Sequence, residues 1–500
     1  MDTKQIHLVS LFEQALQGEP EKRLEEIGVV VQVGDGVCKA HGLTNAIYGE
    51  LIHFEGGNKG IILNLSEDFV SIFLLDATPV QEQEVVKRTG SVFKVPVGDA
   101  MIGRVVNALG QPVDGLGEIK TTEFRAVEQE CASIIERTPI SESLQTGVIA
   151  VDSLFPIGKG QRELIVGNRG TGKTALAVDT ILNQKGKDVI CVYVSIGQRQ
   201  GNLARLVRLL EENGALEYTI VMSADSSETV LNQYLAPYAG TSIAEHFMYQ
   251  GKDVLIVYDD LTNHAIAYRE MSLLMRRAPG REAYPGDVFY LHSRLLERSA
   301  CLLNGGSLTA LPIIQIQEDD ITAYIPTNLI SITDGQLFLD TQMFNQGTRP
   351  AVSVELSVSR VGGAAQTKAI KKVTKALRLE LAQYHDLLSF SQFGTELDEV
   401  SQRHLKRGAL AVAILKQKQF VHYSFVDEVL ILFLLKNNYL NDVELKNITQ
   451  FVQQFVSYVK SVYAATYTMI EKTEDVSDAC MAEMHTIAKE FSKLFVVEDQ

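Results

Sequence analysis

The run Gly167-Asn168-Arg169-Gly170-Thr171-Gly172-Lys173-Thr174 carries the residue types that hold a polyphosphate, at the spacing G-x-x-x-x-G-K-[ST]. The glycines let successive backbone N–H groups close around phosphate oxygens. Lys173 supplies a point charge for the β- and γ-phosphates, and the Thr174 hydroxyl is a ligand for Mg²⁺. The loop follows an apolar run, Leu164-Ile165-Val166, and precedes good helix formers, Ala175-Leu176-Ala177-Val178. A strand, a tight turn and a helix in that order add a helix N-terminus to the cradle. A second element answers the first. Val254-Leu255-Ile256-Val257-Tyr258 runs into Asp259-Asp260, a hydrophobic strand tipped with acids. A carboxylate there holds Mg²⁺ or orients its hydration shell. We assign Asp259 to the metal side and Asp260 as its neighbour. A strand ending in two acids is common by itself; beside a phosphate loop it completes a nucleotide site.

These residues need a scaffold. Strand-like runs at 163–167, 189–195, 217–223 and 253–258 alternate with helical patterns, the signature of a parallel sheet covered on both faces. Such sheets bind ligands at the strand carboxyl ends, where the phosphate loop falls. Upstream, short β-rich runs at 27–33, 50–54, 59–65, 70–75 and 87–93 are broken by Gly34, Gly36, Gly56, Gly57 and Gly90. That pattern predicts a small closed barrel. Downstream of 366 the strand signal vanishes, and 371–393, 397–418, 424–436, 441–464 and 478–495 read as helices. The leading segment places Ile6, Leu8, Val9, Leu11, Phe12 and Leu16 on one apolar side of a helical pattern. It reads equally as a solvent-facing helix or a docking helix. The expected organisation is a helical segment at 1–26, a barrel at 27–95, a nucleotide-binding domain at 96–365 and a helical domain at 366–500.

Bulk properties exclude other classes. A chain of 500 residues is too long for one core. The formal net charge of −16 disfavours a broad nucleic-acid footprint, which needs a basic surface. The longest apolar run, at about 429–435, is far short of the roughly 20 residues of a membrane span. The first residues have no signal-peptide apolar core, and Glu13, Glu19, Glu21, Glu25 and Glu26 make a poor transit peptide. The five cysteines, Cys38, Cys131, Cys191, Cys301 and Cys480, are scattered without a CxxC pair, as expected of reduced thiols in the cytosol.

Longer motifs carry a resemblance. Tyr258-Asp259-Asp260-Leu261-Thr262 with Ala267-Tyr268-Arg269, the run from Arg276 to Arg298, Ser307-Leu308-Thr309-Ala310-Leu311-Pro312-Ile313, and the run from Tyr324 to Gly335 are similar to the rotary ATPases. Over essentially its full length the chain resembles the alpha subunits of F-type ATP synthases, bacterial type. The resemblance implies a multidomain α/β fold: an N-terminal β-barrel, a central parallel-sheet phosphate-loop (RecA-like) domain and a C-terminal helical bundle. It also implies ATP or ADP with Mg²⁺ as cofactors.

Gln198 decides which subunit type is resembled. In the catalytic beta subunits a glutamate at this strand tip polarises the attacking water. Here the strand ends Tyr193-Val194-Ser195-Ile196-Gly197-Gln198, as in alpha subunits. An amide cannot accept a proton at neutral pH, so this site should bind nucleotide without hydrolysing it. The segment Ser357-Val358-Ser359-Arg360-Val361-Gly362-Gly363 is the second alpha-type signal. In the family its arginine reaches the catalytic site of the adjacent beta subunit, so the resemblance assigns that role to Arg360, supported by Ser357. A planar, permanently charged donor fork suits the charge that spreads during phosphoryl transfer. Gln417 and Gln419 resemble the family's adenine-contacting pair, and Arg349-Pro350 another part of that pocket.

The sequence also departs from its relatives. Most alpha subunits carry Asp-Arg-Gln where this one has Asn168-Arg169-Gly170, which predicts weaker nucleotide retention. After Gln198 it reads Arg199-Gln200-Gly201-Asn202, where Lys-x-Ser-Thr is usual. Glu355 puts an extra carboxylate near Arg360. The implied partners are beta subunits in an alternating alpha3beta3 hexamer, the gamma central stalk, and delta and b of a peripheral stalk. A membrane sector moving H⁺ or Na⁺ would be engaged indirectly, and no nucleic acid. The implied location is peripheral, at the cytoplasmic face of the bacterial inner membrane. Three alternatives stand beside this reading. A self-sufficient hexameric ATPase, beta-type or export, is opposed by Gln198. A nucleic-acid translocase resembling Rho is opposed by the acidic balance. A ring subunit with a decayed site is opposed by Lys173 and Thr174.

Overall fold

The computed structural model describes residues 26–75, 79–303, 305–391 and 398–495, with side chains omitted at 389–391. The helical segment expected at 1–26 therefore lies outside the described residues, apart from Glu26. The protein forms two compact units, residues 1–93 and 94–500.

The first unit is a closed six-stranded barrel in the order β1-β2-β5-β4-β3-β6. Its strands are β1 (Ile27–Gly34), β2 (Val37–His41), β3 (Glu50–Phe54), β4 (Lys59–Leu65), β5 (Val70–Leu74) and β6 (Val85–Val92). Alternate residues face inward, so Val30, Ala40, Ile52, Phe54, Ile62, Ile72, Leu74 and Val86 fill the interior. β2 was not foreseen: five residues of mixed character, Val37-Cys38-Lys39-Ala40-His41, give a weak strand signal. At Gly60 a Cβ would stand 2.5 Å from Ile72 Cγ2, so only glycine lets β4 approach β5 there.

The second unit begins with β7 (Lys94–Pro96), β8 (Val105–Asn107) and β9 (Phe124–Ala126). Its main sheet continues with β10 (Leu164–Gly167), β11 (Val189–Ile196), β12 (Thr219–Ala224), β13 (Asp253–Asp259), β14 (Leu308–Gln315), β15 (Gly335–Leu339) and β16 (Val358–Ser359). The order is β16-β15-β10-β14-β13-β11-β12-β8. The four strands anticipated here are β10 to β13; β8, β14, β15 and β16 were not foreseen as strands. The sheet is not wholly parallel, because β16 pairs antiparallel with β15. Strands β10 to β14 are buried along almost their whole length, the mark of a sheet covered on both sides.

The helical region packs into the same core. The pattern read at 371–393 is two helices, Lys368–Thr374 and Leu377–Ser391, and that at 441–464 starts later, at Ile448–Val462, with a further helix at Ala464–Thr473. The helix Phe425–Lys436 is buried on all sides from Phe425 to Leu435, which makes the longest apolar run of the protein a core helix. Among the described residues no helix is long and apolar enough to cross a membrane. All five cysteines are free, and Cys38, Cys191 and Cys480 are buried.

Candidate nucleotide site and interface arginine

The phosphate loop begins where β10 ends. Gly170 (φ 82°) and Gly172 (φ 98°) take left-handed conformations that other residues adopt only under strain. At Gly167 a Cβ would fall 2.7 Å from the Leu339 carbonyl oxygen of β15, so the loop can lie tight on the sheet only with glycine. The helix Lys173–Leu182 follows, with Gly172 at its N-cap position and no hydrogen bond from a capping side group. Its first N–H groups are thus available to an anion. Lys173 is buried and donates to the Gly167 and Asn168 carbonyls at 2.8 and 2.6 Å. Burial pushes its pKa down to about 8, against the opposing pull of Asp260 and Asp259.

The Thr174 hydroxyl donates to Asp259 Oδ2 at 2.7 Å. The same oxygen accepts from the buried Tyr193 hydroxyl at 2.6 Å, and Oδ1 accepts from Gln198 Nε2 at 3.3 Å. β11 and β13 are parallel neighbours, with Ser195 opposite Asp259, so their tips meet. Asp260 turns away. Its carboxylate accepts from Asn263 N at 2.8 Å and caps the helix Leu261–Leu274. Burial and the charge of Asp259 raise its pKa to about 7. The arrangement separates the pair, Asp259 facing Thr174 and Asp260 serving the backbone.

Asn168 also faces away from the loop. Its Nδ2 donates to Thr341 Oγ1 at 2.9 Å, and its Oδ1 accepts from Asp319 N at 3.1 Å. Arg169 and Gly170 are exposed. Thr171 is buried and donates to the Asn168 carbonyl at 2.9 Å, which closes the turn.

Beside the loop, Val148, Ala175, Leu176, Leu339, Phe344, Pro350 and Gln419 line a largely apolar cleft, with the shape and polarity of a base pocket. Arg349 stacks on Phe344, its guanidinium 4.3 Å from the ring centre. Gln419 faces this cleft. Gln417 lines it too, but its amide is spent on the backbone: Oε1 accepts from Ile149 N at 3.1 Å, and Nε2 donates to the Gly147 carbonyl at 2.7 Å and to that of Val421. These bonds fasten the 417–421 loop to the 147–149 turn.

Asp179 was missed by the sequence reading. It lines the cleft, accepts from Phe420 N at 2.8 Å, and burial raises its pKa to about 6. Its position three and four residues after Leu176 and Ala175 on one helix face was the available signal. Tyr193 was missed as a functional residue because a tyrosine inside a buried strand looks like core.

At the β16 edge of the sheet, Arg360 follows β16 and is exposed. Its N–H donates to the Asp334 carbonyl at 2.8 Å and Nη2 to that of Ile330 at 3.2 Å. Ser357 is fully buried, and its hydroxyl accepts from Phe338 N at 2.9 Å. It pins the approach to β16 and does not reach the surface where Arg360 stands. Among the described residues no ion pair joins Glu355 to Arg360. The carboxyl that senses Arg360 is the buried Glu163, which lies against Gly335, the β15 partner of Ser359.

Comparison with known proteins accounts for this layout. Residues 24–90 match the ATP synthase alpha/beta family, beta-barrel domain; residues 147–359 match its nucleotide-binding domain; residues 366–491 match the C-terminal domain of the ATP synthase alpha/beta subunits. The sequence is 52% identical to the ATP synthase subunit alpha of Acetivibrio thermocellus over 99% of both proteins. It is 51% identical to that of Clostridium botulinum over all of both proteins, and 51% to that of Caldanaerobacter subterraneus over 95% of each. The chain belongs to the ATP synthase alpha-subunit family. As an ATP synthase alpha-family protein it is a component of the enzyme complex that makes ATP, and the phosphate loop lies inside the matched nucleotide-binding domain. Barrel, mixed sheet with phosphate loop, and helical region follow the alpha-family order, so the architecture expected from the sequence holds, with the edge strand β16 as its antiparallel exception.

Proposed function

We propose that this protein binds Mg-ATP at a non-catalytic site and lends Arg360 to the catalytic site of a neighbouring beta subunit. One observation carries the first half: Gln198 sits at the tip of β11 with its amide donating to Asp259 at 3.3 Å. No other side chain bonded to Asp259 is a base. Thr174 and Tyr193 are hydroxyls already donating to it. A bound nucleotide therefore meets a phosphate cradle without a proton acceptor aimed at an attacking water.

The donors fit Mg²⁺ held with a nucleotide. Thr174 and Asp259 offer one hydroxyl and one carboxylate oxygen, both hard ligands, and Mg²⁺ completes its shell with phosphate and water oxygens. Among the described residues no group of three or more His, Cys, Asp or Glu is disposed to hold a metal alone. The ion would neutralise phosphate charge. Lys173 and the N-terminus of the helix Lys173–Leu182 bind the phosphates, and Gln419, Phe344 and Pro350 receive the base.

Arg360 stands exposed on the sheet edge, away from its own phosphate loop, which suits action on a neighbour. An alternating alpha3beta3 ring, a gamma stalk, delta and b in a peripheral stalk, and a membrane sector moving H⁺ or Na⁺ complete the reading. The location is the cytoplasmic face of the bacterial membrane. The test is to purify the protein, measure Mg-ATP binding and phosphate release, then reconstitute it with a beta-type partner. Binding without steady release, and turnover only in the mixture, is the expected result. Release by the pure protein at the rate of the complex would overturn the reading.

A further inference from the structure

We infer that Asp152 and Glu428 share one proton and act as positioning residues for the nucleotide-base pocket. The inference rests on the nucleotide-binding reading of that pocket. Asp152 lies on the helix Ile149–Leu154, and Glu428 on the core helix Phe425–Lys436. Both are buried, 4% and 1% exposed. Asp152 is supplied with donors: Oδ1 accepts from Thr146 N at 3.0 Å and Thr146 Oγ1 at 2.8 Å, and Oδ2 from Gly147 N at 2.9 Å. Glu428 has none; neither of its carboxyl oxygens meets a protein donor, while the Asp152 carboxyl acts on it directly.

Two acids this close and this dry cannot both ionise. The three donors on Asp152 stabilise its charge, so the proton sits on Glu428, which donates to Asp152. That also gives one of the two orphaned oxygens of Glu428 a partner, since a protonated carboxyl carries its own O–H donor. The charged groups acting on Glu428 are Asp152, Lys187 and Asp427. Lys187 donates to Gln145 Oε1 at 3.2 Å and faces both acids. Asp427 is neutralised by Lys460 at 2.8 Å and accepts from the Tyr467 hydroxyl at 2.9 Å. Burial, then the charge of Asp152, holds the Glu428 carboxyl far above the usual carboxylate range.

The link to the pocket runs through Gly147. Its N–H is held by Asp152, and its carbonyl accepts from Gln417 Nε2 at 2.7 Å and Tyr423 N at 3.1 Å. Those two residues flank the 417–423 loop that carries Gln419 and Phe420. The carboxyl pair thus orients the turn on which one wall of the base pocket hangs. Loss of the proton at alkaline pH places two charges together, pushes the helix Phe425–Lys436 from the helix Ile149–Leu154, and loosens that wall.

The test uses the full-length protein loaded with Mg-ATP. Nucleotide release should quicken as the solution is made alkaline, because deprotonation leaves two charges side by side in a dry site. Glu428→Gln supplies a permanent donor to Asp152, so it should retain ATP like wild type near neutrality and lose the carboxyl pair's share of the alkaline response, keeping only the share that Lys173 contributes. Glu428→Leu should release ATP quickly at every pH. Infrared difference spectra should show a protonated carboxyl band at neutral pH that Glu428→Gln removes. A pH-independent release in wild type, a Gln variant as steep as wild type, or a missing carboxyl band would overturn the inference. Failure to bind ATP at any pH would overturn the nucleotide reading itself, and the infrared band would then decide the carboxyl pair alone.

Discussion

The hydroxyl of Thr174 lies 2.7 Å from Oδ2 of Asp259, joining the end of the phosphate loop to the tip of β13 across 85 residues of sequence. These two side chains are the ones that would hold Mg²⁺ with a bound nucleotide. Thr174→Ala and Asp259→Asn should each weaken Mg-ATP binding while leaving Mg-free ATP binding nearly unchanged. A lost interaction with a charged ligand is worth ~1.5–3 kcal/mol, about tenfold or more in affinity. Titration calorimetry with and without Mg²⁺ checks the ratio.

Lys173 gives a pH dependence whose sign can be worked out. Burial depresses its pKa from 10.5 to about 8. Between those values the unfolded protein binds more protons than the folded one, so this group makes the empty protein gain stability as pH rises through that window. ATP binding works the other way, because phosphate charge favours the ammonium. Affinity should be flat below about pH 8 and fall above it, with proton uptake on binding. Calorimetry in buffers of differing ionisation enthalpy measures that uptake.

Arg360 should act on the partner's chemistry. In the assembled complex Arg360→Ala should leave ATP binding by this subunit intact and lower multisite turnover by about 10³-fold or more. Arg360→Lys should do nearly as badly, since an ammonium lacks the planar fork. Glu355→Gly should stay within about twofold of wild type, a change well under 1 kcal/mol, because no ion pair ties Glu355 to Arg360 among the described residues. Steady-state hydrolysis by each reconstituted complex checks all three.

Ser357 should prove structural. Ser357→Ala leaves the buried Phe338 N–H without its partner, at a cost of about 1–3 kcal/mol. Thermal unfolding should register that loss. A turnover loss in Ser357→Ala without any loss of stability would instead give the hydroxyl a catalytic part.

Gly170 holds φ at 82° with open space around its missing Cβ. Gly170→Ala should therefore destabilise by about 1–2 kcal/mol through backbone strain alone. Gly170→Asn should cost less, since asparagine tolerates the left-handed region. The same strain bears on Gly170→Gln, the change expected to slow nucleotide release. It gains a polar side chain beside the phosphates and loses stability, so release rate and unfolding temperature must be measured together.

The sequence by itself determined the phosphate loop, the acid-tipped strand and the three-part order, because each is written in contiguous residues. Glycine spacing, apolar runs and the change from period two to helical period are local properties of the polypeptide. Gln198 and Arg360 were likewise legible, since each sits in a motif. Only the tertiary structure decided how those side chains are used. Gln417 reads like Gln419 on paper, yet its amide is consumed by Gly147, Ile149 and Val421, some 270 residues away in the sequence for the first two. Ser357 and Arg360 are three residues apart, but one faces the core and the other solvent. Asp259 and Asp260 are adjacent, and their division of labour follows from Thr174 and Tyr193 on one side and Asn263 on the other. The Asp152–Glu428 pair had no trace in the sequence. Two ordinary acids 276 positions apart acquire their chemistry only when folding removes water from both and leaves three donors to one and none to the other.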